Sequence, residues 1–150
     1  MSDVIAMFST DTNIIPSSFN SKPNPRGYNF AILGEDVIFH ADDGSEPLSG
    51  TSFATAIGAG IAARILDFSR HPDSCQWLQR VDGLKRTEDM SAIFAYMAKD
   101  GEESGYHCMR PWKLLDGLSD SEDGAQSMEE MRKVVCQTIS RTLRGKERSL

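Results

Sequence analysis

Short strands followed by a helix that lies flat upon them: the sequence predicts an α/β fold. Three observations carry this expectation. Apolar, β-compatible stretches bounded by Gly, Pro, Ser and Asn occupy residues 4–40. A run of small apolar residues, SFATAIGAGIAARILDF over 52–68, has the length of a helix and lacks the alternation of a strand. Finally, 150 residues with 39% hydrophobic side chains are enough to bury one core.

Taken in order, residues 4–8 form a short apolar β-compatible segment. Residues 10–27 follow, rich in Ser and Asn, with Pro16, Pro23 and Pro25 opposing regular structure. Residues 28–33 and 37–40 read as two strands separated by a Gly34-Glu35-Asp36 turn, and 41–50 as a polar loop with Gly44, Pro47 and Gly50. The run over 52–68 is apolar nearly all round, the pattern of a buried rather than an amphipathic helix. Gly58 and Gly60 each weaken it by roughly 1 kcal/mol, and fit where another backbone must approach closely.

Thr87 is expected to cap a helix over 88–99, with acids in its first turn, Lys99 then Gly101 at its end, and Ile93, Phe94 and Met97 as its apolar stripe. The aromatic-rich stretch 105–115 is expected to pack back onto the core. Ser127 and Glu130 form a capping box that opens a last helix, with Met128, Met131, Val135, Ile139 and Leu143 along one face. Arg141, Arg144, Lys146 and Arg148 gather at its C-terminal end, where the helix dipole favours them, and read as a solvated tail. The chain therefore divides into a domain at 1–115, an acidic linker at 116–126, and a helix with a basic tail at 127–150.

Composition excludes several classes. Sixteen basic against 22 acidic residues give a net charge of −6, which argues against a nucleic-acid partner. No apolar run approaches the roughly 20 residues of a membrane span, and the start MSDVIAMF lacks the basic and apolar regions of a secretory signal. The odd set Cys75, Cys108 and Cys136 reads as free thiols in a reducing, cytoplasmic compartment. His107 beside Cys108 lacks a second close pair to complete a metal site, so no metal or other cofactor is expected.

The segment Ser49-Gly50-Thr51-Ser52-Phe53-Ala54-Thr55 delivers a serine to the first turn of the central helix. Backbone N–H groups there have no intrahelical partner and the helix dipole adds positive charge, so an oxyanion near Ser52 would be stabilised. The plainer alternative is that Ser52 or Thr51 is an ordinary helix cap.

Gly50-Thr51-Ser52-Phe53-Ala54-Thr55, with the glycine-containing stretch over 57–63, resembles the nucleophile motif of subtilisin-like serine proteases. Upstream, Val4-Ile5-Ala6, Ser18-Phe19-Asn20 and the strand over 31–37 resemble family segments in the family's order, with Ile32-Leu33 where Ala-Pro is usual. The resemblance covers about residues 4–71, and 72–115 look more loosely like the downstream part of intracellular fungal members. It implies a doubly wound, largely parallel sheet and endopeptidase activity through an Asp-His-Ser triad, acting on a peptide or protein substrate. Ser52 then corresponds to the nucleophile, its own N–H to an oxyanion donor, and Gly50 and Thr51 to the supporting motif.

Two departures stand out. Ala56 replaces the usual proline. The family's aspartate and histidine motifs, upstream of the serine, are absent from the chain; His40 and Asp42-Asp43-Gly44 fall where the family has a loop, and His71 and His107 follow the serine. A serine hydroxyl is a poor nucleophile until a base takes its proton. In subtilisin itself, loss of the serine or histidine removes about a factor of 10⁶ in turnover. The isolated chain is thus expected to be close to inactive, with an open sheet edge and one face of the central helix uncovered.

Three readings follow. The chain is the C-terminal part of a subtilisin-like peptidase, completed by a missing N-terminal half; or a non-catalytic pseudopeptidase remnant serving as a binding or regulatory module; or an unrelated small helical interaction protein. The last accounts for 116–150 but not for the order strand, loop, serine, helix.

Overall fold

The computed structural model describes residues 4–38, 46–79, 81–118 and 127–147. It is a mixed α/β structure. Strands β1 (Met7–Thr10), β2 (Phe30–Leu33), β3 (Glu102–Glu103) and β4 (Tyr106–Cys108) form one sheet in the order β1-β2-β4-β3. β1 runs parallel to β2 with Met7 opposite Phe30, β2 parallel to β4 with Phe30 opposite His107, and β3 closes an antiparallel hairpin on β4. The sheet is therefore mostly parallel.

Helices α1 (Thr51–Arg70), α2 (Pro72–Cys75), α3 (Thr87–Met97) and α4 (Met128–Glu147) follow, with 3-10 turns at Val81–Lys85 and Pro111–Leu115. Phe30 and Ile32 point from β2 into one core shared with Ala54 and Ile65 of α1, Ile93 and Phe94 of α3, and Cys136, Ile139 and Leu143 of α4. Phe94 meets Phe30 edge-on, 5.6 Å between ring centres, a favoured aromatic geometry. The opposite face carries Ala31, Tyr106 and Cys108 with Phe8 of β1 and Ile14 from the loop after it. Among the described residues the helices thus cover one face; a doubly wound arrangement would need helices on the other as well.

The polar, proline-rich loops are held by side chains that imitate backbone. Asn20 Oδ1 accepts the Ser9 N–H at 2.9 Å while its Nδ2 donates to the Ser9 carbonyl at 2.7 Å, closing the outer edge of β1 at that residue. Buried Asn29 accepts from the Asn24 N–H and donates to the carbonyls of Asn24, Gly27 and Gly105, tying the second loop to the β3–β4 hairpin. Each bond satisfies a backbone group that a strand or helix would otherwise satisfy.

Several expectations are corrected. Of the strand expected over 37–40 only Val37 and Ile38 are described, and there Val37 makes an isolated antiparallel bridge to Leu48; 39–45 lie outside the described residues. The strand beside β2 is β4 instead, in the stretch read only as packing back on the core. α1 is not buried all round. Ala54, Gly58, Ile65 and Ser69 are buried, whereas Ser52, Ala56, Ala59, Gly60 and Ala63 are exposed, because only one sheet face meets the helix. Gly58 does sit at a close approach, since a β-carbon there would lie 2.6 Å from Met7 Cε, but Gly60 has nothing within 4 Å.

The N-cap of α3 is Arg86, and Thr87 is the first helical residue. The capping box of α4 is formed as expected: the Ser127 N–H donates to Glu130 Oε2 at 3.1 Å and the Glu130 N–H to Ser127 Oγ at 3.2 Å. Met128, however, is 72% exposed and Cys136 takes its place in the buried face. Arg141 and Arg144 are exposed; residues 119–126 of the linker and Arg148 lie outside the described residues. Among the described residues no helix is long and apolar enough to cross a membrane.

Candidate active site

The site begins where β2 ends. Gly34 and Glu35 donate their N–H groups to the Thr10 carbonyl at 3.1 and 3.2 Å, locking the end of β2 to the end of β1. The Gly34 carbonyl in turn accepts the Gly50 N–H at 2.8 Å. Asp36, in the left-handed region at φ 55, turns the chain, and its N–H donates to Ser49 Oγ at 2.9 Å. Paired bonds between Val37 and Leu48, at 2.9 and 3.0 Å, bring the returning chain alongside. The start of α1 is therefore pinned to the end of the sheet by backbone bonds.

Gly50 is the N-cap, in an extended conformation and with no capping side chain. Neither Thr51 nor Ser52 is the cap, so the alternative drawn from the sequence does not hold. Thr51 is half-buried, and its carbonyl accepts the Thr55 hydroxyl at 2.8 Å. Ser52 is exposed in the first turn, where the amide N–H has no intrahelical acceptor. A β-carbon on Gly50 would come within 3.3 Å of Ser52 Oγ, so glycine leaves that hydroxyl its room. No acidic residue occupies this first turn to offset the positive end of the dipole. Ala56, where the family's usual proline is replaced, falls in the second turn of α1 and is exposed.

No described histidine joins Ser52. His71 caps the far end of α1, a 20-residue helix about 30 Å long; its Nδ1 accepts the Asp73 N–H at 3.3 Å. His107 sits in β4 opposite Phe30, packed edge-on against Tyr28 at 5.3 Å. That is about 13 Å along β2 from the Gly34 turn, at strand rise. His40, Asp42, Asp43 and Gly44 lie outside the described residues.

Cys75 is exposed and unpaired, and Cys108 and Cys136 are buried and unpaired, with burial pushing both buried thiols up from their ordinary pKa. Among the described residues no three His, Cys, Asp or Glu side chains come together to hold a metal ion.

Sequence reasoning missed the part played by Gly34. A β-carbon there would stand 2.8 Å from Ser9 Oγ, 2.9 Å from Ala54 Cβ and 3.0 Å from the Ala54 nitrogen. The only signal was a glycine directly after an apolar strand.

Fold and site together define an α/β protein in which a polar turn at the end of a parallel strand presents an exposed serine at a helix start. No family model and no solved structure matches the chain. It is similar to the subtilisin-like protease het-Q2 of Podospora anserina, 37% identical over an alignment of 62 residues that covers 39% of this chain. The matched region spans 17% of the length of that protein.

Proposed function

We propose that the chain is the nucleophile-bearing part of a subtilisin-like serine endopeptidase, incomplete as a catalyst until another segment supplies the histidine, the aspartate and the rest of the oxyanion hole. The observation that carries this reading is the exposed Ser52 behind Gly50-Thr51 at the first turn of α1, in a chain similar over 62 residues to a subtilisin-like protease. Once a base has taken its proton, Ser52 Oγ would attack the carbonyl carbon of a peptide bond. The Ser52 N–H would then donate to the resulting oxyanion. The substrate is a peptide or protein; the net charge of −6 and the three free thiols support a partner other than nucleic acid and a cytoplasmic setting.

The positions of His71 and His107 favour a second reading, a non-catalytic remnant that keeps the scaffold around Ser52 for binding or regulation. Fluorophosphonate labelling read by mass spectrometry, with Ser52→Ala as control, separates the two. The chain alone is expected to remain unlabelled, and co-expression with a segment bearing the aspartate and histidine motifs to restore label at Ser52. Label on the chain alone would show a base within it. No label on the completed pair would favour the remnant.

A further inference from the structure

We propose that the groove at the C-terminal ends of β1 and β2 binds a small organic ammonium ion with an apolar body. The groove encloses about 350 Å³. It is lined by Ile32 from β2 and Met109 just after β4, both almost wholly buried, by Ile57 and Ile61 of α1, and by Trp112, which is 56% exposed. Asp11, at the end of β1, is the one charged residue among those lining it.

Location, size and charge point the same way. Open α/β sheets bind ligands beyond the carboxyl ends of their parallel strands, where successive loops diverge. The volume lies at the lower end of the roughly 300–1,000 Å³ of small-molecule pockets, which suits one small ligand better than a folded partner. An apolar lining takes an aryl or branched alkyl body. The single carboxylate and the indole among the lining residues, Asp11 and Trp112, both favour a cation at the polar end of that ligand.

The carboxylate is well prepared for this. Asp11 Oδ1 accepts the N–H groups of Asn13 and Ile15 at 2.9 and 2.8 Å. The Ile15 bond in particular holds its pKa below the ordinary carboxylate value, so the charge persists at physiological pH. Oδ2 accepts the Asn13 side-chain amide at 3.4 Å, and since each carboxylate oxygen can accept more than one bond, acceptor capacity is left for an ammonium. Ile14, between the two donors, adopts φ 68, a costly conformation for a β-branched residue, and also lines the groove. The site does not involve Ser52, and its fate is independent of the peptidase reading.

Trp77 and Trp112 are the only tryptophans, so Trp77→Phe leaves Trp112 as the sole reporter. That variant is titrated with 4-phenylbutylammonium, 4-phenylbutanol and 4-phenylbutyrate while Trp112 emission is followed. A saturable change is expected, with the ammonium bound roughly tenfold more tightly than the carboxylate and the alcohol between them. Asp11→Asn keeps an oxygen for the Ile15 N–H and should lower the ammonium to the affinity of the alcohol. Trp112→Leu, at an exposed position, should weaken ammonium binding severalfold by calorimetry. Equal affinity for the three compounds, ammonium binding untouched by both substitutions, or no saturable change up to about 10 mM would overturn the proposal. Tighter binding of a capped Phe-Lys peptide than of the free amine would overturn the small-molecule assignment.

Discussion

Gly34 and Ala54 stand closer than any side chain on residue 34 would permit: a β-carbon there would lie 2.9 Å from Ala54 Cβ and 3.0 Å from the Ala54 nitrogen. The contact seats the first turn of α1 on the end of β2, and with it Ser52. The neighbouring atoms belong to a helix backbone and a short side chain, so they cannot swing aside as a long side chain would.

Gly34→Ala is therefore expected to cost about 1–3 kcal/mol, the range of overpacking in a tight contact. Gly60→Ala should do the opposite. Nothing lies within 4 Å of that position, so alanine gains helix propensity without a clash, about 0.8–1 kcal/mol. Urea denaturation of the two variants beside wild type reads both signs; a Gly34→Ala variant as stable as wild type would refute the close approach.

Ser52→Ala should change stability by no more than about 0.5 kcal/mol, since the side chain is exposed. Thermal melting checks this. A larger loss would mean that the hydroxyl has a structural role that its exposure does not suggest.

Removal of the Phe94 ring should be severe. Phe94 is 2% exposed and meets Phe30 edge-on at the centre of the core. Phe94→Ala is expected to lose about 3–5 kcal/mol, read by denaturation, while Ser127→Ala should lose only about 1 kcal/mol with one half of the α4 capping box.

The thiols should separate by reactivity. The thiolate is the nucleophile, and burial raises the pKa of Cys108 and Cys136, so at pH 8 little of either is ionised. Iodoacetamide on the folded protein is expected to modify exposed Cys75 first, with the other two roughly tenfold slower or more. Peptide mass spectrometry over a time course gives the order.

Asp11 gives the loop after β1 an acid dependence. Its pKa is lowered in the folded state, chiefly by the Ile15 N–H, so the unfolded chain binds the proton more readily. The contribution to stability is complete above the ordinary value of 3.8 and is lost as pH falls below it through the folded value. Hydrogen exchange at the Ile15 amide, corrected for intrinsic rate, should show protection falling over that acidic range in wild type and not in Asp11→Asn.

The sequence by itself determined what depends on near neighbours. The central helix, expected over 52–68 and found at Thr51–Arg70, and the Ser127–Glu130 box rest on bonds and propensities within a few residues, so local pattern was enough to find them.

Tertiary structure decided the rest, because pairing and burial join residues far apart in the chain. Residues 37–40 have a strand's composition, yet β4 takes the place beside β2, since β propensity reports mainly the surface against which a segment packs. The same dependence explains why α1, apolar on all sides in sequence, buries only the face that meets the sheet. Its small side chains make exposure of the other face inexpensive. Gly34 reads as one more turn glycine until Ala54 is brought against it, and the groove beside Asp11 exists only once β1, β2, α1 and Trp112 are assembled.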